Sequence, residues 1–327
     1  MLKKEIINKT LSDFPNLATM TLAKKIYNEN LFLFKNVEEV RSLIRYRRGT
    51  SGMKRLKSLQ KNTYLSQEKI IQKYNLPQSI EQEYTPYNII GNNGLIFADV
   101  HIPFHNIQAL ETMFDFTMKR EIDFIILDGD ISDCFELSKF DKEPNAAKLI
   151  DERDKTKQFL MELKRIYPKA KIYYKFGNHE KRFVDFLKVK APELFGFVEF
   201  RWEVLLNLFN LGIEYIEDDR YINLSGLSIL HNHEYKNSVI SPANPARTLF
   251  LRTKSVALGA HNHQSSEHTE STINGDILTC WSIGCMCELH PKYMPLNKWN
   301  HGFALYTRKD ENFWNIENKR IIKGVVV

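Results

Sequence analysis

IDFIILDGDISD, at residues 122–133, is an apolar run that ends directly in acidic side chains. The same arrangement, a short and mostly apolar run followed at once by metal-ligand residue types, occurs four more times: GLIFADVH at 94–101, KIYYKFGNHE at 171–180, LSILHNH at 227–233 and SVALGAHNH at 255–263. Runs of this length predict buried strands. Helices predicted at 106–120 and 146–166 would connect some of them as crossovers. The pattern therefore predicts an α/β fold with five polar clusters at strand ends.

These clusters carry the residue types of a metal site. Ligands in open α/β sheets bind beyond the carboxyl ends of the strands, so the five clusters are expected to meet at one place. Asp99 and His101 share one side of an extended chain, as do His261 and His263. Carboxylate, amide and imidazole ligands without thiolates suit Mn²⁺, Fe²⁺ or Zn²⁺. Because the ligands outnumber those of one ion, two ions about 3.5 to 4 Å apart are expected.

Five motifs together resemble the calcineurin-like metallophosphoesterase superfamily: D-x-H at 99–101, G-D-x-x-D at 129–133, G-N-H-E at 177–180, a single strand-end His231, and H-x-H at 261–263. The resemblance covers roughly residues 94–305. A basic helical segment in front and the late stretch CELHPKYMPLNKWNHGFAL at 287–305 make the chain similar to phage-encoded members. The resemblance implies a four-layer αββα sandwich, with two mixed sheets between helices. Two departures stand out: Ala260 replaces the glycine of the closing motif, and His233 is a second candidate beside His231.

The resemblance also implies a role for each site residue. Seven residues would hold two divalent metal ions, with Mn²⁺ as the first expectation: Asp99, His101 and His263 on one ion, Asn178, His231 and His261 on the other, and Asp130 bridging both. A hydroxide held between the ions would attack phosphorus. His179 would act as general acid towards the leaving oxygen or hydrogen-bond the phosphate, with Asp133 orienting its ring.

The first third of the chain differs from the rest in charge. Residues 1–98 carry 16 Lys and Arg against 8 Asp and Glu, a net charge of +8, whereas the remainder has a net charge of −2. All ten histidines lie at or beyond His101. Apolar spacing predicts three short helices within residues 1–50, and the third has the start signal of a capping box in Asn36 and Glu39. Three short helices ending in a basic one resemble a helix-turn-helix module.

The third predicted helix carries Arg41, Arg45, Arg47 and Arg48. These arginines are predicted to contact nucleic acid; the alternative is a solvated face that favours the negative end of the helix. Residues 51–87 are predicted to form a polar linker with one helix around 66–74, and residues 88–327 the metallophosphoesterase domain. Turn residues at 91–94 predict a hairpin that opens this domain.

Composition excludes several classes of protein. No apolar stretch approaches the roughly 18 residues of a membrane span, and the start, MLKKEIINKT, lacks the apolar core of a signal peptide. The four cysteines are too few and too clustered for a disulfide framework. We therefore expect no membrane partner and a cytoplasmic location, in the host if the protein is phage-encoded. The oligomeric state stays open.

These observations favour cleavage of nucleic-acid phosphodiesters, because the basic module would supply affinity for a polyanion. The alternative is a phosphomonoesterase acting on phosphoprotein or nucleotide, with the basic module serving protein contacts. A second alternative is a nucleic-acid-binding regulatory protein with a structural metal site, against which His179 and Asp133 argue, since neither is needed to hold ions. In the late stretch, Tyr293 and Trp299 could cap the site or stack on a base, although core packing is favoured for Trp299. Lys181 and Arg182 face either substrate phosphate or solvent.

Overall fold

The computed structural model describes residues 3–14, 17–48, 77, 84–139, 147–217, 220–235, 243–310 and 313–327. The chain forms two compact units, Met1–Glu83 and Tyr84–Val327. The predicted linker and its helix around 66–74 lie outside the described residues, apart from residues 77 and 84–87. In the described parts of the chain, no helix is both long and apolar enough to cross a bilayer.

Three helices form the described part of the N-terminal unit: α1 (Lys3–Asp13), α2 (Thr19–Glu29) and α3 (Val37–Arg48). The prediction of three short helices is confirmed. Apolar residues three or four positions apart place Leu22 and Ile26 of α2 in one buried cluster with Val40 and Ile44 of α3. Helices of this length are marginal alone, so this shared apolar face stabilises them.

Polar contacts fix both ends of α3. At its start, Asn36 Oδ1 accepts a hydrogen bond from the N–H of Glu39 at 2.9 Å, which satisfies a donor of the first turn. The Glu39 carboxylate accepts the N–H of Lys35, at 2.6 Å. At the other end, the Arg48 guanidinium donates to the carbonyl of Leu17 at 2.6 Å and so ties α3 to the segment before α2.

The first sheet of the larger unit has seven strands: β2 (Asn93–Phe97), β3 (Phe124–Asp128), β4 (Lys171–Lys175), β5 (Ile213–Ile216), β11 (His301–Arg308), β12 (Trp314–Ile322) and β13 (Val325–Val326). Their order is β13-β12-β11-β2-β3-β4-β5. Strands β2 to β5 are parallel, and β11 to β13 extend the sheet in antiparallel fashion.

The second sheet has six strands: β1 (Tyr87–Ile89), β6 (Ile222–Leu224), β7 (Leu227–Leu230), β8 (Ala257–Gly259), β9 (Ser266–Ser271) and β10 (Ile277–Ser282). Their order is β1-β6-β7-β8-β10-β9, again with both parallel and antiparallel neighbours. A buried cluster that includes Ile96, Ile126, Ile229 and Leu258 fills the space between the two sheets.

Helices cover the outer faces of both sheets. Their bounds are α4 (Ile107–Thr117), α5 (Leu149–Ile166), α6 (Asn178–Lys190), α7 (Trp202–Leu205) and α8 (Pro245–Thr253). Side chains of α4 to α7 share a core with the seven-stranded sheet, and those of α8 pack on the six-stranded sheet. The predicted four-layer αββα sandwich is thereby confirmed, as are the helices predicted at 106–120 and 146–166.

The predicted hairpin at residues 91–94 is wrong. Strand β1 pairs with β6 in one sheet and β2 with β3 and β11 in the other, so the connection passes between sheets. Gly91 and Gly94 serve packing here, since a Cβ at either position would come within 2.4 Å of the Phe124 ring. The glycines that favour a hairpin turn instead make room for an aromatic side chain of the inter-sheet core.

The five predicted strands are observed as β2, β3, β4, β7 and β8. Each ends at, or within a few residues of, its predicted polar cluster. Because β2, β3 and β4 are parallel neighbours, their carboxyl ends open on the same edge of the sheet. Strands β7 and β8 are parallel to each other in the facing sheet. The topology thus brings clusters that lie far apart in sequence to one edge of the sandwich.

Candidate metal centre

Three of the predicted ligands converge at the ends of β2 and β8. The carboxylate oxygen Asp99 Oδ1 lies 3.2 Å from His263 Nε2 and 3.8 Å from His101 Nε2. The two imidazole nitrogens themselves are 3.1 Å apart. Ligands of one transition metal ion at about 2.0 to 2.2 Å from the ion have separations of this size. Asp99, His101 and His263 therefore form one candidate metal-binding group.

A second group lies beside the first and includes Asp130. Its Oδ2 is 3.1 Å from His231 Nε2 and 3.9 Å from His101 Nε2. Asp130, His231 and His261 each offer a ligand atom, and these atoms all lie within 4.8 Å of one another. Asp130 thus neighbours ligands of both groups, and because Asp99 Oδ1 also lies 3.8 Å from His231 Nε2, the two groups adjoin. The bridging role of Asp130 stays a prediction.

Several ligand atoms are buried without a hydrogen-bond partner. Within the described residues this holds for Asp99 Oδ1, Asp130 Oδ2, Asn178 Oδ1 and His231 Nε2. A buried polar atom without a partner costs about 1 to 3 kcal/mol, and more when it is charged. All four atoms belong to predicted ligands, and three of them meet other ligand atoms at ion-pair distance: Asp130 Oδ2 lies 3.1 Å from His231 Nε2, and Asp99 Oδ1 lies 3.2 Å from His263 Nε2. The donor set therefore fits divalent cations.

The outer nitrogens of two histidines fix their ring orientation. His101 Nδ1 lies 3.0 Å from Asp133 Oδ2, and His231 Nδ1 lies 2.5 Å from the carbonyl oxygen of Asp128. In each case the Nδ1–H donates to an oxygen, which directs Nε2 at the centre. Metal-ligating histidines commonly have such a partner on their other nitrogen.

The backbone at the centre is strained. Five predicted ligands have positive φ angles between 50° and 70°, although none is glycine: Asp99, His101, Asp130, His261 and His263. Residues other than glycine rarely adopt this conformation, and each costs on the order of 1 kcal/mol or more. Such strain persists where the surrounding structure dictates it, and here it directs the side chains of adjoining loops to one point.

Glu180 organises these loops and was missed as a functional residue. Its buried carboxylate accepts the N–H groups of Asp130, Ile131, Ser132 and Gly177 at 2.8 to 3.1 Å. The fit is tight, because a Cβ at Gly177 would approach Asp130 Oδ1 to 2.1 Å. Glu180 thereby connects the loop after β3 to the start of α6. The sequence signal was its place at the end of G-N-H-E, but three of the four donors it holds lie 48 to 50 residues away.

Comparison with known proteins agrees with this geometry. The family model of the calcineurin-like phosphoesterases matches residues 95–278. The chain belongs to this family. Its members are hydrolases that use divalent metals, which fits the His and Asp groups described above.

Individual similar proteins are more distant. The chain is 25% identical over 226 residues to Gene 54 protein of Mycobacterium phage L5. The matched region covers 65% of this chain and 88% of the phage protein. Among solved structures, Vps29 of Entamoeba histolytica complexed with zinc is 12% identical to this chain, with a TM-score of 0.38. The superposed region covers 72% of this chain and 96% of Vps29. The Pseudomonas putida nuclease MPE is 13% identical, with a TM-score of 0.33, and the superposed region covers 65% of this chain and 84% of the nuclease. The predicted similarity to a phage-encoded protein is confirmed by the first match.

His179 and Asp133, the predicted catalytic pair, lie next to the two candidate metal-binding groups. His179 Nδ1 lies 3.0 Å from the backbone carbonyl oxygen of Asp133 and 3.3 Å from its carboxylate. The shorter contact of that carboxylate is with His101, so Asp133 positions a predicted ligand as well as His179. Arg182 was left open between substrate and solvent. Its guanidinium donates to the carbonyl of Asp133 at 3.0 Å and lies 3.1 Å from His179 Nε2.

The two departures from the family pattern have structural explanations. Ala260 is fully buried in the core between the sheets, so a methyl group is accommodated where the pattern has glycine. Of the two candidate histidines, His231 faces the carboxylates, whereas His233 Nδ1 lies 3.7 Å from Glu234. A thiol, which the clusters were predicted to lack, also approaches the centre: Cys287 Sγ lies 3.7 Å from His263 Nδ1.

Attraction between carboxylates and imidazoles controls the protonation of the centre. Burial by itself would lower the pKa of His231, but the charges of Asp130 and Asp99 outweigh it and raise that pKa to about 10. Burial also opposes protonation of His263. The charge of Asp99 favours it more strongly, and the pKa of His263 is raised to about 9. Burial and the positive charge of His231 lower the pKa of His261 to about 4. At neutral pH the metal-free centre therefore holds protons on His231 and His263.

Metal binding should consequently release protons, because a ligating Nε2 must be neutral. Burial opposes protonation of His101 as well, but Asp133 and Asp99 outweigh it and raise its pKa. We expect at least two protons per chain, from His231, His263 and His101, when Mn²⁺ is added at pH 7. The apparent affinity for Mn²⁺ should rise with pH until the pH exceeds the pKa values of His263, near 9, and His231, near 10. Calorimetric titration in buffers of different ionisation enthalpy measures the number released. The control is His268→Gln, at a histidine that pairs with Glu270 on β9, and this variant should release the same number of protons as the unsubstituted protein. Proton release near zero in the unsubstituted protein would contradict the pKa values given for His231 and His263.

Proposed function

We propose that the protein hydrolyses phosphodiester bonds of nucleic acid with two divalent metal ions, Mn²⁺ being the first choice and Fe²⁺ or Zn²⁺ the alternatives. The observation that carries the reaction class is the pair of ligand groups that share Asp130, beside His179. Asp99, His101 and His263 would hold one ion, and Asn178, His231 and His261 the other. When bound, the ions would supply the positive charge that polarises a phosphate and lowers the pKa of water.

His179 would assist departure of the leaving oxygen. Its Nδ1–H donates to the Asp133 carbonyl, which directs Nε2 towards the centre, 3.8 Å from Asp130 Oδ2. In the substrate-free centre Arg182 donates to this Nε2 at 3.1 Å, so Nε2 accepts a hydrogen bond there. With substrate bound, Arg182 would donate to a phosphate oxygen instead, and a proton taken up by the released Nε2 would be given to the leaving oxygen.

Charge in the N-terminal unit supports a polyanionic substrate. Of the four arginines on α3, Arg41 pairs with Glu38 at 3.0 Å, and Arg48 holds the segment before α2. Arg45 is exposed and Arg47 half-buried near the end of the helix. We infer that Arg45 and Arg47 provide most of the phosphate contacts, which would make binding to nucleic acid dependent on salt.

The same proposal places the protein in the cytoplasm, that of the host if it is phage-encoded. Cys134, Cys280, Cys285 and Cys287 are all buried free thiols. A reducing compartment keeps such thiols unpaired. Nucleic acid is also accessible there.

Two substitutions separate metal binding from proton transfer. Asp130→Asn should weaken both metal sites, because the bridging carboxylate serves both ligand groups. His179→Gln should keep the metals and slow turnover by about 10² to 10⁴ with an alkoxide leaving group, since the general acid is lost, but by less with an activated aryl group. Metal analysis and initial rates with Mn²⁺ measure this on single-stranded DNA, duplex DNA, RNA, a bis-aryl phosphodiester and an aryl phosphomonoester.

Each arm of that assay decides a separate part of the proposal. Equal loss on alkoxide and aryl esters, with metals retained, would remove the proton-donor role from His179. Efficient hydrolysis of the monoester without cleavage of DNA or RNA would replace the proposed substrate with a phosphomonoester. Binding of metals with no hydrolysis of any substrate would reduce the centre to a structural role.

The basic helix is tested by the salt dependence of binding. Changing Arg45 and Arg47 together to Ala should flatten the plot of log affinity against log salt for duplex DNA by roughly 0.9 units per lost phosphate contact. Hydrolysis of a small aryl ester should stay unchanged, because no predicted metal ligand precedes Asp99. Arg165→Ala, at an exposed arginine paired with Glu162 on α5, is the matched control and should leave the slope unchanged. An unaltered slope in the double variant would assign the basic helix to a solvated face.

A further inference from the structure

The segment that connects β10 to β11 is fixed against the metal centre by hydrogen bonds. The N–H of Asn300 donates to the carbonyl of His263 at 2.9 Å, and the N–H of Glu288 donates to the carbonyl of Phe104 at 2.9 Å. Within the segment, the Asn297 amide donates to the carbonyl of Leu289 at 2.6 Å. Residues 288–300 therefore hold a defined shape although they contain no helix or strand.

Two aromatic side chains of this segment adjoin the centre. The Trp299 ring lies on His263, with ring centroids 4.1 Å apart, and the Tyr293 ring meets Trp299 edge to face at 6.3 Å. His263 belongs to the first candidate metal-binding group, so the aromatic pair is in contact with a predicted ligand. Trp299 is half-buried, as expected of partial core packing, but Tyr293 keeps 57% of its surface exposed.

Charged side chains of the centre act on the Tyr293 hydroxyl. Burial of its hydroxyl and the negative charge of Asp133 raise the pKa of Tyr293, and the guanidinium of Arg182 acts on it in the opposite direction. The position of the ring itself is fixed by its contact with Trp299, which lies on His263.

We propose that Tyr293 and Trp299 form a stacking subsite for the base of an unpaired nucleotide whose phosphate is hydrolysed at the metal centre. This inference rests on the proposed function and narrows it to single-stranded nucleic acid. A partly exposed aromatic ring beside a phosphate site matches the layout of a nucleotide, in which base and phosphate are separated by one sugar. Lys298, which precedes Trp299 in the chain and is exposed, adds a positive charge to the same segment. Bases stack on aromatic side chains with little sequence preference.

Stacking on Tyr293 predicts a preference for unpaired bases. In a duplex both faces of a base are covered by its neighbours, so occupying the subsite would require unstacking of the helix. A single strand presents its bases without that cost. We therefore expect faster hydrolysis of a thymidine oligomer than of the same sequence in a duplex.

The experiment compares two single-stranded oligomers of equal length, one of thymidine and one of abasic sugar-phosphate residues, with Mn²⁺ present. Tyr293→Ala should lower kcat/KM on the thymidine oligomer by roughly 5- to 100-fold and leave the abasic oligomer unchanged. Tyr293→Phe, which keeps the ring and removes the hydroxyl, should stay within about twofold of the unsubstituted protein. Leu296→Ala is the control within the same segment, because Leu296 is 94% exposed, and it should change neither rate.

Metal content, measured for every variant, distinguishes stacking from support of the centre. Equal loss on both oligomers, or loss of metal in Tyr293→Ala, would overturn the inference by assigning Tyr293 to the structure of the centre. If Tyr293→Ala cleaves the thymidine oligomer as fast as the unsubstituted protein does, the stacking subsite is contradicted and the proposed function is left intact. Cleavage of neither oligomer, with a phosphotyrosine peptide hydrolysed instead, would overturn the proposed function and the nucleotide subsite with it.

Discussion

The two carboxylates of Asp99 and Asp130 are buried side by side, and the rest of the centre compensates for their charge. Neither has appreciable exposed surface, and one oxygen of each has no hydrogen-bond partner among the described residues. Buried negative charges are strongly unfavourable unless cations neutralise them. Imidazolium groups at His231 and His263 serve this purpose before metals bind, and divalent ions would serve it more fully. The hydrogen bonds of Glu180 hold the loops in this arrangement although their backbone is strained.

Much of this centre could be predicted because its signals are local. Each polar cluster follows an apolar run, and parallel neighbouring strands necessarily bring their carboxyl ends to one edge. The cluster containing His261 and His263, for example, could be placed without knowing which strands pair with β8. The three N-terminal helices were likewise visible in the spacing of residues such as Leu22 and Ile26.

The parts that sequence could not supply depend on contacts between distant residues. Gly91 and Gly94 have the composition of a turn, and only the position of the Phe124 ring shows that they serve packing. Glu180 acts through N–H groups about 50 residues away, and main-chain donors leave no trace in the sequence. The contact of Asp133 with His101, in addition to His179, arises from the same kind of long-range geometry.

The central claim is that two metal ions occupy two ligand groups that share Asp130. Anomalous diffraction from crystals grown with Mn²⁺ tests it most directly, because manganese positions are seen independently of activity. The account predicts two peaks about 3.5 to 4 Å apart, one among Asp99, His101 and His263 and the other beside Asn178 and His231. A single peak, or one near Cys287 with none beside Asn178, would contradict it.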